Sequence, residues 1–533
     1  MLRLLLLVLL VVAAPAGGNA QGDQITWGVH ISLAPTWFDP AEASGTTTPY
    51  MIYYAIHDAV VKAMPDQALA PSLAESWTAS KDHLAYDFVL RKGVRFHNGE
   101  PVAAEDVKFS FERYRGAASK TLKERVSAVE VVDAGRVRFR LKQPWPDFVN
   151  FYATATGAGW IVPKKYVEKV GDEGFKKAPI GAGPYRFTSF TPGGELVMEA
   201  FDGYWRTKPT VKRLVLKVIA DEATRLAALK RGEVDIAYSV RGALAEELRR
   251  TPGLQLVAPV LQSTFWVYFP EQWDPKSPWH NIRLRQAVNI AIDRSAINQA
   301  ETLGFSRLTN SIIPDIFEFF WKPPAPVHDP ARAKRLLADA GYPAGLDVGD
   351  YHCDAAYANV AEAVLNDLRA VGIRAKLRPL ERAAFFTAYG EKKLKNLIQA
   401  QSGAFGNAAT RLEAFVAAGG TYVYGSYPDI DGLFAEQATD VDPKRREATL
   451  HRIQRLVNDK AIYAPIWQLA FLNGVGPRVE HSGLGVIPGF AYSGPYEDVR
   501  LKRRQAAALT RLAPTGPVSG VAPAVEAPSP NEV

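Results

Sequence analysis

The chain predicts a mixed α/β fold divided into two or three lobes. Its 533 residues exceed what a single hydrophobic core serves. An apolar content of 47% and a charged content of 22% are those of a folded globular protein. Alternating and helix-spaced apolar runs follow one another along the chain, the pattern of intermixed strands and helices.

The first segment, Met1 to about Ala20, reads as a leader. Arg3 is its only charged side chain, Leu4–Ala14 is wholly apolar, and Ala14-Pro15-Ala16 and Gly18-Asn19-Ala20 are small-x-small cleavage sites. A bilayer span needs about twenty apolar residues, so this shorter run predicts a removable secretory signal and a mature N-terminus near Gln21. Cys353 is the only cysteine. A single thiol closes no disulfide within the chain, and none lies at the cleavage site to take a lipid. Formal net charge is +7, or +6 without Arg3. Its cations are interleaved with acids, as in Asp221–Glu233, and no basic tract reads as a nucleic-acid surface.

The elements follow in order. Leu73-Ala74-Glu75-Ser76-Trp77 leads towards the alternating strand Tyr86–Leu90, with tight turns at Gly93 and at Asn98-Gly99. Ala104–Tyr114 carries Val107, Phe111 and Tyr114 on one helical face. Val137–Leu141 and Arg213–Val218 alternate as strands do, and Gly183-Pro184-Tyr185 reads as a turn that starts a new strand. Asp329-Pro330, Ala331–Ala340 and Gly341 supply an N-cap, a first-position proline and a terminator for a helix. Val360, Val364, Leu368 and Val371 have helical spacing, and Gly372 separates them from the strand Ile373–Leu380. Lys444–Asn458 predicts a helix that buries Leu450, Ile453, Leu456 and Val457. Ala513–Val533, rich in Pro, Ala, Gly and Ser, has too little apolar surface to offset its ordering entropy and reads as a disordered tail.

Catalytic signatures are missing from the sequence: it has no Gly-x-Ser-x-Gly, no His-Glu-x-x-His and no Gly-x-x-x-x-Gly-Lys. Gly181-Ala182-Gly183 is followed by Pro184 and a strand, not by a helix that would hold phosphate. His352-Cys353-Asp354 lies on a strand, where successive side chains face opposite ways. Only His352 and Asp354 share a face, and two ligands make a weak metal site. Aromatic residues near Gly, Pro or Ser include Trp37, Trp273, Trp279, Trp321, Phe405, Tyr422, Tyr424 and Tyr427. Several of these flat rings on one cleft would suit a peptide-like, sugar or ring-bearing ligand.

Four ordered segments carry a family resemblance. The first runs from Leu73-Ala74-Glu75-Ser76-Trp77 through Leu90-Arg91-Lys92-Gly93-Val94-Arg95-Phe96-His97-Asn98-Gly99 to Ala104-Glu105-Asp106-Val107. The second is Gly181-Ala182-Gly183-Pro184-Tyr185-Arg186-Phe187 with Tyr204-Trp205, Arg225–Leu229 and Gly232-Glu233-Val234-Asp235. Then come Arg283-Leu284-Arg285-Gln286-Ala287 with Ala291-Ile292-Asp293-Arg294, and the helix Asp329–Gly341. Together these resemble the extracellular solute-binding proteins of family 5, which serve peptide and nickel ABC importers, over about residues 25–500. The resemblance implies a bilobal periplasmic-binding-protein fold with two large lobes and a third, inserted domain. Mapped here, the first lobe takes 21–50, 181–262 and 481–510, the insert 51–180, and the second large lobe 263–480. Ligand would be enclosed between the large lobes by hinge closure.

The resemblance also implies the activity: a soluble periplasmic monomer, not an enzyme, that delivers a peptide-like or other small polar solute to an ABC permease. No cofactor, metal or nucleic acid is called for. Peptide-binding members carry an acid, in a Trp-x-x-Asp-Tyr-Pro-Asp-Pro-like segment, that grips the ligand's amino terminus. The matching region here is Gln401–Thr410, where that acid is absent and Asn407 is the nearest polar replacement. Asn accepts a hydrogen bond from an ammonium group without charge assistance, which turns the expectation towards an opine, a sugar conjugate or another modified metabolite. The expected ligand-binding residues are Trp37, Trp273, Phe405, Asn407 and Tyr424. The rival readings are a ligand-loaded adaptor for a membrane receptor, nickel or metal-chelate uptake, and an exported peptide hydrolase, which the missing signatures disfavour.

Overall fold

The computed structural model describes residues 22–42, 48–116, 118–404, 406–490 and 494–502. The leader, the C-terminal tail and Phe405 lie outside them.

Three sheets organise the fold. A seven-stranded mixed sheet has at its centre Gln24–Val29, where Ile25, Trp27 and Val29 alternate with the small or polar Thr26 and Gly28, all buried. That strand pairs in parallel with Arg213–Val218 on one side and Ile236–Ala237 on the other. Tyr185–Phe190 and Glu195–Ala200 extend the first side as an antiparallel hairpin. On the other side Asn473–Val475 joins Ile236–Ala237 to the edge strand Gln255–Val257. The chain is therefore back in the first sheet by Asn473, ahead of the boundary expected at 481.

The second large sheet has six strands. Val260–Tyr268 lies between Tyr463–Ala470 and Leu397–Ser402, both antiparallel to it. Leu346–Asp354 adds in parallel to Leu397–Ser402, and Ile373–Leu380 adds in parallel at the far edge. One continuous apolar core joins a face of this sheet to the first, through residues such as Trp27, Phe265, Tyr357 and Trp467. Cys353 is buried in that core as a free thiol, and burial pushes its pKa up to about 12.

The chain builds a third module between strands Gln24–Val29 and Tyr185–Phe190 of the first sheet. It rests on the antiparallel sheet of Ala74–Ala79, Ala85–Leu90, Val126–Asp133 and Arg136–Leu141. Helix Ala104–Arg113 buries Val107 and Phe111 against it. Asn150–Ala155 then makes one wide helical turn whose side chains are almost all buried. At Gly183 the chain passes hard against Ala55–His57: an added Cβ would sit 2.5 Å from the Ala55 carbonyl oxygen. The strand Tyr185–Phe190 starts immediately afterwards. No described helix is long and apolar enough to cross a membrane.

Candidate functional site

Strand Leu397–Ser402 is buried along its whole length in the middle of the second sheet. After it the chain turns at Gly406, whose φ of 135° is a conformation that side chains disfavour. It then enters helix Ala408–Phe415. Asn407 starts that helix as a reciprocal cap. Its Oδ1 accepts from the Thr410 N–H at 3.0 Å, while its own N–H donates to Thr410 Oγ1 at 3.0 Å. The remaining amide group, Nδ2, donates to Asp147 Oδ1 of the inserted module at 2.7 Å. The side chain is 2% exposed.

A cavity lies between this helix and the inserted module. Thr121, Phe151 and Thr156 line it from the insert, and Ser402, Arg411, Glu413 and Tyr422 from the second large lobe. Its enclosed volume is about 50 Å³, and it opens to solvent at its mouth. Tyr422 is stacked on Phe415, with ring centres 5.0 Å apart, and on Tyr389 at 4.8 Å. Glu413 pairs with Arg125 of the insert at 2.5 Å. Burial still pushes its carboxyl up to about 7, opposed by Arg125 and reinforced by nearby Asp147. The buried Arg411 guanidinium donates to Thr264 Oγ1, the Ile312 carbonyl and the Ala404 carbonyl at 2.8, 2.9 and 3.2 Å. Burial lowers its pKa to about 9.

Two further charged contacts cross between the parts of the molecule. Asp147 of the insert is ion-paired with Arg446 of helix Pro443–Asp459. Arg382 pairs with Asp354 within the second lobe and donates through Nε to Thr48 Oγ1 at 2.8 Å. Asp354 also accepts from Gln401 Nε2 at 3.2 Å. That carboxylate is therefore committed to Arg382 and Gln401, and His352 and Asp354 are not assembled as a metal pair. Among the described residues no group of three or more His, Cys, Asp or Glu is arranged to hold a metal ion.

The structure does not bring the expected site residues together. Trp37 is 3% exposed in the core of the first lobe, on the short turn Pro35–Phe38. Trp273 packs on Tyr427 with ring centres 4.7 Å apart and lies against Gly425. Tyr424 packs on Tyr268 and Tyr389, at 5.7 and 5.9 Å. None of these three is among the residues lining the cavity; each ring is used in packing within its own lobe. Asn407 stands one turn from the cavity and has its polar groups engaged by Thr410 and Asp147. Phe405 falls outside the described residues. The cavity residues that sequence reasoning missed include Phe151, Arg411 and Glu413. The last two left no local signal: Thr410 stands where the usual capping pair has Glu or Gln, and the charges at 411 and 413 break the apolar stripe of helix Ala408–Phe415.

The chain matches the sequence profile of bacterial extracellular solute-binding proteins, family 5 Middle, over residues 68–422. It is 28% identical over 369 residues to a glutathione-binding protein of Salmonella choleraesuis, covering 67% of this chain and 70% of that one. Among solved structures, an agropinic acid complex from A. tumefaciens R10 is 25% identical and superposes with a TM-score of 0.78, over 90% of this chain and 99% of that one. A Helicobacter pylori periplasmic binding protein in complex with the peptide STSA shares the fold at 22% identity, with a TM-score of 0.78 over 90% and 97% of the two chains. The profile match covers well over half of the sequence and the bilobal fold agrees with it, so the chain belongs to the family 5 bacterial extracellular solute-binding proteins.

Proposed function

We propose that this protein is the periplasmic binding component of an ABC importer, which holds a small polar organic solute between its lobes and presents it to the membrane permease. The observation that carries the reading is the family match over residues 68–422; the cavity bounded by the inserted module on one side and by Ser402–Tyr422 on the other is the candidate seat. A solute there would touch both bodies, and a ligand favours the conformation in which it makes more contacts, so binding and closure are coupled. The relatives that bind glutathione, a peptide and agropinic acid support a peptide-like or opine-like solute carrying several hydrogen-bonding groups. The family consists of binding proteins, and the reading assigns no bond-making step to any residue. It also takes the leader as cleaved on export and the mature chain as a monomer.

Mass spectrometry of the solute that co-purifies with gently isolated protein, followed by calorimetry with that compound, tests the reading. One bound equivalent, released unchanged, is expected. Steady turnover of the compound would replace the binding reading with the hydrolase. Loss of binding on chelation, restored by nickel alone, would replace it with metal-chelate uptake. Intact mass of the periplasmic fraction checks the cleavage near Gln21.

A further inference from the structure

We propose that Arg411 seats a free carboxylate of the bound solute; this rests on the solute-binding reading above and deepens it. A guanidinium has five N–H donors. In Arg411 three are used: two on Nη1, to Thr264 and Ile312, and one on Nη2, to Ala404. The Nε–H and the second Nη2–H have no acceptor among the described residues. No carboxylate of the described residues lies within ion-pair distance of Arg411, which is 3% exposed. Glu413, on the same helix, is taken by Arg125. The rings of Phe317 and Phe415, 5.4 and 5.8 Å away, attract the cation but accept no strong hydrogen bond.

The other arginines buried without a carboxylate partner show what a purely structural role looks like. Arg285 uses its donors on Ala461, Trp279, His280, Tyr427 and Lys460. Arg225 and Arg294 each make four such bonds, with Nε engaged. Arg411 is the one of these four that keeps Nε unused and that lines the cavity. Nε together with an Nη nitrogen presents the planar fork that a carboxylate fills bidentately. A buried positive charge without a counter-ion is costly, and a carboxylate entering the cavity removes that cost. A neutral ester or amide at the same place leaves one donor unmatched and the charge unbalanced.

The test offers the small-molecule fraction of a bacterial extract, native and after methyl esterification of its carboxylates, to wild type, Arg411→Gln and Arg411→Lys. Native mass spectrometry reads loading, and melting of the ligand-free variants checks folding. The wild type is expected to load from the native extract and about tenfold or more weakly from the esterified one. Arg411→Gln should lose the loading from native extract. Arg411→Lys keeps the charge without the fork and should show a reduced preference for acid over ester. Equal loading of wild type from both extracts overturns the proposal, as does an Arg411→Gln protein that loads like wild type. If Arg411→Gln does not fold, Arg411→Lys decides: an unchanged acid-over-ester preference overturns the proposal. A wild type that loads from neither extract refutes the solute-binding reading itself, and the carboxylate seat with it.

Discussion

Asn407 was expected to bind ligand, and in the ligand-free fold its polar groups are engaged within the protein. The sequence marks it as a ligand group because it stands where related chains carry an acid. In the fold its oxygen caps a helix and its amide nitrogen holds Asp147. Asn407→Ala should therefore lower the stability of the ligand-free protein by about 1–3 kcal/mol, from a lost cap and a weakened buried carboxylate contact. Thermal unfolding without solute measures it, and an unchanged midpoint would free the side chain for the ligand role. Glu413 gives a prediction in pH. Its carboxyl is raised from 4.5 to about 7 in the folded protein, so between those values the folded state holds a proton that the unfolded chain has released. Its contribution is fully present below 4.5 and is lost as pH rises through about 7. Glu413→Gln should flatten the fall of the melting midpoint across that window, and an identical slope in wild type and variant would remove Glu413 as its source.

Single elements were legible where local chemistry decides them. Asp329, Pro330 and Gly341 bracket the helix Pro330–Asp339, with the Asp329 side chain accepting from the Arg332 N–H at 2.8 Å. Arg213–Val218 and Ile373–Leu380 are strands with the bounds that their alternation predicts. Helix Pro443–Asp459 buries Leu450 and Ile453 as expected, while Leu456 and Val457 are half-buried at its side. Helix Ala408–Phe415 was not legible as an element. Its apolar stripe is interrupted by Arg411 and Glu413, which are buried because the cavity and Arg125 receive them, and that is tertiary information. Gly183 was read correctly as the turn before a strand, but its constraint comes from Ala55–His57, more than a hundred residues away in sequence. Gly183→Ala should force that backbone apart and cost about 1–3 kcal/mol in denaturant unfolding. A variant as stable as wild type would mean that the two segments separate freely.

The bilobal α/β fold followed from the resemblance, whereas the pairing of distant strands and the charges between the insert and the second large sheet did not. An ion pair between residues 147 and 446 leaves no local pattern, because each partner reads as an ordinary surface charge until the fold buries both. The Asp147–Arg446 and Arg125–Glu413 pairs link the insert to the second large lobe, and they should hold the two together. Removing one partner of a buried pair leaves the other uncompensated. Asp147→Ala should raise the open population of the ligand-free protein, seen as a larger radius of gyration by small-angle X-ray scattering, and weaken solute binding. A scattering curve that overlays wild type would show that these pairs do not hold insert and lobe together. The interleaved first sheet has a consequence in time. Strand Gln255–Val257 is hydrogen-bonded in that sheet only through Asn473–Val475, among the described residues. While the chain is being made, that edge waits for more than two hundred further residues before it can be completed. Contacts this far apart in sequence form slowly, so the emerging polypeptide stays incompletely folded until synthesis is nearly over.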